Sequence, residues 1–209
     1  MLLRAYIFSI IFLISACAKS QDKEKNVRHI GGPCEGCEAI YEYGNNTLHP
    51  VDTLPDFEKG KEKIKITGII YKKDGKIPAK DVILYAYQTN EKGIYPKIKT
   101  SLGWEKRHGY IRGWIKTDAS GKYTFYTFRP GSYPNSSIAQ HIHFTIKEPD
   151  KNEYYIDDIL FDDDPFLTEA MRKKSHPRCG NGIVTLIKKD SILEAKRDII
   201  LGLNIPDYY

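Results

Sequence analysis

Tyr123-Thr124-Phe125-Tyr126-Thr127 is followed by Arg129-Pro130-Gly131-Ser132-Tyr133-Pro134 and, after residues 135–140, by His141-Ile142-His143-Phe144. Two β-branched and aromatic runs separated by proline and glycine read as two strands joined by a loop. Alternate side chains of a strand share a face, so His141 and His143 project their imidazoles together. Tyr133 stands a short loop upstream, where the chain can fold it back toward the same point. Two neutral imidazoles and a phenolate suit a hard, oxidised ion such as Fe(III), because anionic oxygen favours the higher charge. A His-x-His pair alone is weak evidence, and a tyrosine after such a turn also serves as a plain corner pin in β-sandwiches.

The same texture extends in both directions. Candidate strands cover residues 64–71, 82–88, 110–117, 123–127, 141–147, 154–161, 183–188 and 195–201, with turn signals at Lys73-Asp74-Gly75 and Ala119-Ser120-Gly121. One helix is expected from Asp164 as cap, through Pro165, to about Lys174. These features predict an all-β antiparallel β-sandwich of about eight strands, with long loops and one short helix. The loop over residues 90–109, too long for simple connection, carries Tyr95, Trp104, Arg107 and His108. His49, His108 and His176 are isolated and read as surface groups. Glu148 follows His143 by five, which fits only half of a cupin metal motif.

The start of the chain speaks to compartment. A basic Met1-Leu2-Leu3-Arg4, an apolar run to Ile14 and Ile14-Ser15-Ala16-Cys17 resemble a bacterial lipoprotein signal over residues 1–16, lipidated at Cys17; an ordinary cleaved secretory signal is the alternative. The expected location is the bacterial cell envelope, with the membrane as partner through that anchor. Residues 17–62 read as tether and N-terminal extension, and residues 63–209 as one domain. In an exported chain a disulfide is expected between Cys179 and one of Cys34 or Cys37. The net charge of +5 is spread among acidic residues without a basic face, which argues against a nucleic-acid partner.

Tyr87-Gln88-Thr89-Asn90-Glu91-Lys92-Gly93-Ile94-Tyr95 resembles the segment of intradiol ring-cleavage dioxygenases that supplies their first iron tyrosine. Arg112-Gly113 through Pro130-Gly131-Ser132-Tyr133-Pro134 resembles the segment carrying the second, and His141-Ile142-His143-Phe144 the two histidine ligands. Phe161-Asp162-Asp163-Asp164-Pro165 and Arg197-Asp198-Ile199-Ile200-Leu201-Gly202 resemble later family segments. The resemblance implies one non-haem Fe(III) held by Tyr95, Tyr133, His141 and His143. It implies a catechol-type diol and O2 as substrates, displacement of Tyr133 by the diol so that its phenolate accepts a proton, and a muconate-type diacid as product. Two positions depart from the family pattern: Ile138 stands where an arginine is usual, and Asp158 replaces a glutamine. Loss of a preorganised cation costs several kcal/mol of transition-state stabilisation. Arg178, Arg107 or Arg112 is expected to replace it. A non-enzymatic, lipid-tethered β-sandwich with a degenerate iron site is the competing reading.

Overall fold

The computed structural model describes residues 29–209; the expected signal sequence and Cys17 lie outside them. Eleven strands are β1 (Val51–Thr53), β2 (Lys63–Tyr71), β3 (Ile83–Gln88), β4 (Arg112–Lys116), β5 (Lys122–Phe128), β6 (His141–Lys147), β7 (Tyr154–Phe161), β8 (Ile183–Val184), β9 (Ile187–Lys189), β10 (Ile192–Lys196) and β11 (Ile199–Ile200). One sheet runs β1-β5-β2-β10-β9 with β11 added beside β2, and the other runs β4-β3-β6-β7-β8. The all-β sandwich is as expected.

The core follows from alternation. β2 buries Ile64, Ile66 and Ile70, and β5 adds Tyr123 and Phe125. From the second sheet come Leu84, Ile142, Phe144, Ile146, Ile156, Ile159 and Phe161. Phe125 and Phe144 meet between the layers at 5.9 Å. Each such side chain contributes about 1.5–3 kcal/mol by burial.

Several expectations are corrected. β1–β5, β2–β10, β2–β11 and β7–β8 pair in parallel, so the sheets are mixed rather than purely antiparallel. These pairs join distant segments that carry no hairpin signal. The expected strand 183–188 is two strands, and 195–201 shifts to β10 and β11. The expected helix shortens to α2 (Glu169–Arg172), capped by Thr168, whose hydroxyl accepts from Met171 N at 3.2 Å. Asp164 instead accepts from Phe166 N and, with its other oxygen, from Gln140 N at 2.7 Å, steadying the approach to His141. A second short helix, α1 (Glu105–His108), lies in the long loop.

Residue 63 is not where the packed body begins. Ile30 belongs to the main core, Gly31 N donates to Pro206 O, and β1 precedes that position. Ala39 and Ile40 pack with Tyr85 on the outer face of the second sheet. The cysteine pairing differs as well: Cys34 bonds to Cys37, and Cys179 is a free thiol. Cys37 stands beside Thr145 on the outer face of β6, whereas Cys179 is wholly buried in the core beneath. The sheet separates them. Burial pushes the Cys179 thiol up to about 12, so it is unreactive.

Candidate metal centre

β6 buries Ile142, Phe144 and Ile146, which turns His141 and His143 to the outer face. Each imidazole is held through Nδ1. That of His141 lies 2.7 Å from the Ala139 carbonyl, and that of His143 lies 3.1 Å from Asp158 Oδ1. Both partners can only accept, so each Nδ1 carries the proton and each Nε2 presents a lone pair. Those Nε2 atoms lie 3.1 Å from the Tyr133 hydroxyl and 2.9 Å from the Tyr95 hydroxyl, and the two hydroxyls lie 2.6 Å apart. The four groups expected from the sequence converge.

Two glycines make this convergence possible. A Cβ on Gly93, whose φ is 74°, would lie 1.8 Å from Ser132 O, and one on Gly131 would lie 2.4 Å from Glu91 O. Gly131 N donates to Asn90 O, and Thr89 Oγ1 donates to Gly131 O at 2.8 Å. The loops bearing the two tyrosines therefore touch backbone to backbone.

Asp158 reaches His143 because of a β-bulge. Ile142 pairs with Ile159 but Phe144 pairs with Ile156, so Asp157 and Asp158 together oppose His143. The extra residue re-aims the carboxylate. Burial acts to raise the Asp158 carboxyl, but the facing His143 and His141 and the Arg197 guanidinium outweigh it and hold it below the ordinary carboxylate range. His141, His143 and Asp158 form a compact trio. Since Asp158 faces Nδ1 of His143 while Nε2 faces Tyr95, the carboxylate is placed to orient that imidazole.

Four ligand atoms about 2 Å from one ion stand roughly 3 Å apart, which is the spacing of these oxygens and nitrogens. The donor set fits Fe(III). Burial raises both phenols above their ordinary range, so an ion entering this site must displace their protons.

Rings stacked outward from His143 stiffen the centre. Tyr87 lies 4.4 Å from the His143 ring, and His108 lies 3.9 Å from Tyr87 on its other face. His108 Nδ1 lies 3.0 Å from the Tyr85 hydroxyl. His108 is thus buried rather than superficial, and desolvation lowers its pKa to about 4. His49 and His176 are exposed as expected. The sequence reading did not single out Tyr87; the outward aromatics Tyr85 and Tyr87 on β3, which would otherwise face water, were the available signal.

A cavity of about 550 Å³ opens onto Tyr133, His141 and His143, with Ile138, Ile156 and Leu160 among its apolar walls and Arg172 and Lys174 as its cations. Tyr95 lies behind. None of the three arginines expected to replace the missing cation lines this cavity. Arg178 donates to the carbonyls of Tyr155 and Gly31 and stacks on Tyr155. Arg112 pairs with Glu42 and Glu105, and Arg107 with Glu35. Ile138 is half exposed into the space. Glu148 accepts from Tyr154 and Tyr208 at 2.7 and 2.9 Å and takes no part in the centre, which removes the cupin reading.

A family model described as Dioxygenase matches residues 41–196. The chain is 28% identical over 137 residues to the protocatechuate 3,4-dioxygenase beta chain of Burkholderia cepacia, a match covering 60% of this chain and 58% of that relative. Less than two thirds of the curated relative is therefore spanned. Among solved structures, the dioxygenase domain of a dioxygenase–carbohydrate-binding protein fusion from Streptomyces sp. SirexAA-E superposes with a TM-score of 0.56 at 20% identity, covering 81% of this chain and 95% of that one. The intradiol ring-cleavage dioxygenase from Tetranychus urticae gives 0.54 at 20% identity, covering 88% and 95%. At these identities the structures establish the fold.

Proposed function

The chain belongs to the intradiol dioxygenase family, whose members use non-haem Fe(III) on catechol-type substrates with O2, and from that membership we propose that it cleaves an aromatic diol between its two hydroxyls to a muconate-type diacid. One observation carries the proposal: two phenol oxygens and two imidazole lone pairs, from three separate segments, meet within 2.6–3.1 Å. Tyr95, Tyr133, His141 and His143 are the residues that would hold one Fe(III). When bound, Fe(III) supplies the Lewis acidity that withdraws electron density from a chelated diol and opens a ring carbon to O2.

The remaining roles belong to the chain. Of the two phenols in the centre, Tyr133 is the one that lines the cavity, so its oxygen is the one placed to take a proton from an incoming diol. Ala139 O and Asp158 keep both Nε2 lone pairs aimed inward. Ile138, Ile156 and Leu160 give the aromatic ring an apolar wall and exclude water from beside it. Arg172 and Lys174 line the cavity together with Asp157 and Asp158, and Lys174 pairs with Asp157, so the two signs offset each other.

Purified protein loaded with Fe(III) should show a broad phenolate-to-iron absorption band and consume O2 with at least one of catechol, protocatechuate and hydroxyquinol. Ile138 and Asp158 favour a second reading, a binding module with a degenerate centre; bound iron without O2 uptake on any diol would select it. The envelope location is a separate proposal resting on residues 1–17. Cys17→Ser should move the protein from the membrane fraction to the soluble one, and unchanged partition would end that proposal.

A further inference from the structure

Tyr155 stands near the start of β7, between the buried Tyr154 and Ile156, so alternation turns it to the outer face of the second sheet. It pairs with Thr145, two residues along β6 from His143, which is roughly 7 Å of strand. The residue is 43% exposed, yet its ring is held. The Arg178 guanidinium carbon lies 3.7 Å from the ring centre. Arg178 Nε donates to the Tyr155 carbonyl at 2.9 Å, and Nη2 donates to the Gly31 carbonyl at 3.1 Å. Arg178 is itself buried. A Cβ on Gly31 would lie 3.3 Å from Nη2 and 2.7 Å from Tyr154 Cβ, so glycine leaves the guanidinium its room. One cation thus grips both the backbone and a ring face of Tyr155.

A cation covers only one face of a ring. Tyr155 lines the cavity that opens onto Tyr133, His141 and His143. With His143 and Asp158 it also lines a second cavity, of about 250 Å³, under the Cys34–Cys37 turn. The first cavity, at about 550 Å³, falls within the roughly 300–1,000 Å³ that hold drug-sized ligands. Catechol, a single ring with two hydroxyls, leaves most of that space empty. Ile138, Ile156, Leu160, Met171, Pro177 and Ile183 make much of the wall apolar, so the unfilled part suits an apolar group. A tyrosine that is already immobilised loses little entropy when a flat ring stacks on it.

We propose that Tyr155 is a specificity-determining residue of the diol cavity: its ring is the stacking face for a second aromatic ring, so the preferred substrate is a catechol bearing an aryl substituent. The inference rests on the reading of the centre as the place where a diol is held. Arg178 then has a task other than the catalytic charge expected of it, which is to keep the Tyr155 ring in place.

The experiment titrates the full chain, loaded with Fe(III) and without O2, with catechol, benzylcatechol and cyclohexylmethylcatechol, the last two substituted para to one hydroxyl. Binding is followed by the shift of the phenolate-to-iron band. The parent is expected to bind benzylcatechol at least tenfold more tightly than catechol. It should also bind it about fivefold more tightly than cyclohexylmethylcatechol, which has the bulk but no flat face. Tyr155→Phe should keep that fivefold preference, and Tyr155→Leu should reduce it to within about twofold of none. No gain from the benzyl group in the parent, or a fivefold preference that Tyr155→Leu retains, would overturn the proposal. Should Tyr155→Leu fail to fold, the parent's preference for benzyl over cyclohexylmethyl decides, and its absence overturns. O2 uptake separates this inference from the reading beneath it. Turnover of catechol with no gain from the benzyl group refutes the subsite and leaves ring cleavage standing. The expected binding ratios without O2 uptake refute cleavage and support the subsite. If the parent holds no Fe(III), calorimetric titration of the metal-free chain with benzylcatechol is the test: saturable binding that Tyr155→Leu weakens supports the subsite, and no binding overturns it.

Discussion

β2 in one sheet and β6 in the other bury alternate side chains in the same way, Ile64, Ile66 and Ile70 facing Ile142, Phe144 and Ile146 across the core. Their outer faces diverge. β2 presents Lys63 and Lys65, which pair with Glu58 and Glu194. β6 presents His141, His143 and Thr145, and the long loop, the Cys34–Cys37 turn and the Tyr133 loop cover them. An outer face left to solvent is occupied by flexible ion pairs. Given a second cover, the same geometry becomes a partly buried surface on which stacked rings and hydrogen bonds aim lone pairs. The candidate centre lies where the outer face of the second sheet is covered by loops.

The sharpest way to break that contrast is Tyr95→Phe. The hydroxyl 2.6 Å from Tyr133 disappears, and Fe(III) affinity should fall by on the order of 100-fold or more, with the visible band weakened and shifted, Tyr133 being the phenolate that remains, in a titration followed by absorbance. Phe125→Ala, in the core beneath the first sheet, should cost about 3–5 kcal/mol in chemical denaturation. The folded fraction should keep its colour, because Phe125 touches no covered outer-face group.

His108 offers a pH test of the cover. Its pKa is lowered to about 4 from an ordinary 6.5. Between those values the unfolded chain binds the extra proton, so stability rises with pH across this window and is lost as pH falls from 6.5 toward 4, by up to about 3 kcal/mol. His108→Phe, which keeps a ring against Tyr87, should flatten that part of a stability–pH profile. Reduction of Cys34–Cys37, which closes a very short loop, should cost about 2 kcal/mol in denaturation with and without reductant. Lys65→Ala, on the partly buried outer face of β2, should shift the unfolding midpoint by no more than the equivalent of about 1 kcal/mol. A large effect there would dissolve the distinction between the faces.

Much of this was legible locally. Strands β2, β3, β5, β6 and β7 lie where β-branched and aromatic runs place them, because burial of alternate residues is a property of the run itself. The shared face of His141 and His143 follows from the same period, and Tyr95 entered through a family likeness. The fate of Cys179, Arg178 and His108 was not legible. Each depends on which distant segment packs over it, and charge or thiol chemistry in a linear chain does not record that.

By itself, then, the sequence determined an all-β chain, a histidine pair on one strand face and the residues able to join it, since strand period and turn chemistry act over a few positions. Only the tertiary structure decided that Asp157 and Asp158 form a bulge, that Gly93 and Gly131 let two loops touch, and that Cys34 takes Cys37. Those outcomes depend on register and layer packing between segments tens of residues apart, where the free energy belongs to the contact and to neither segment alone.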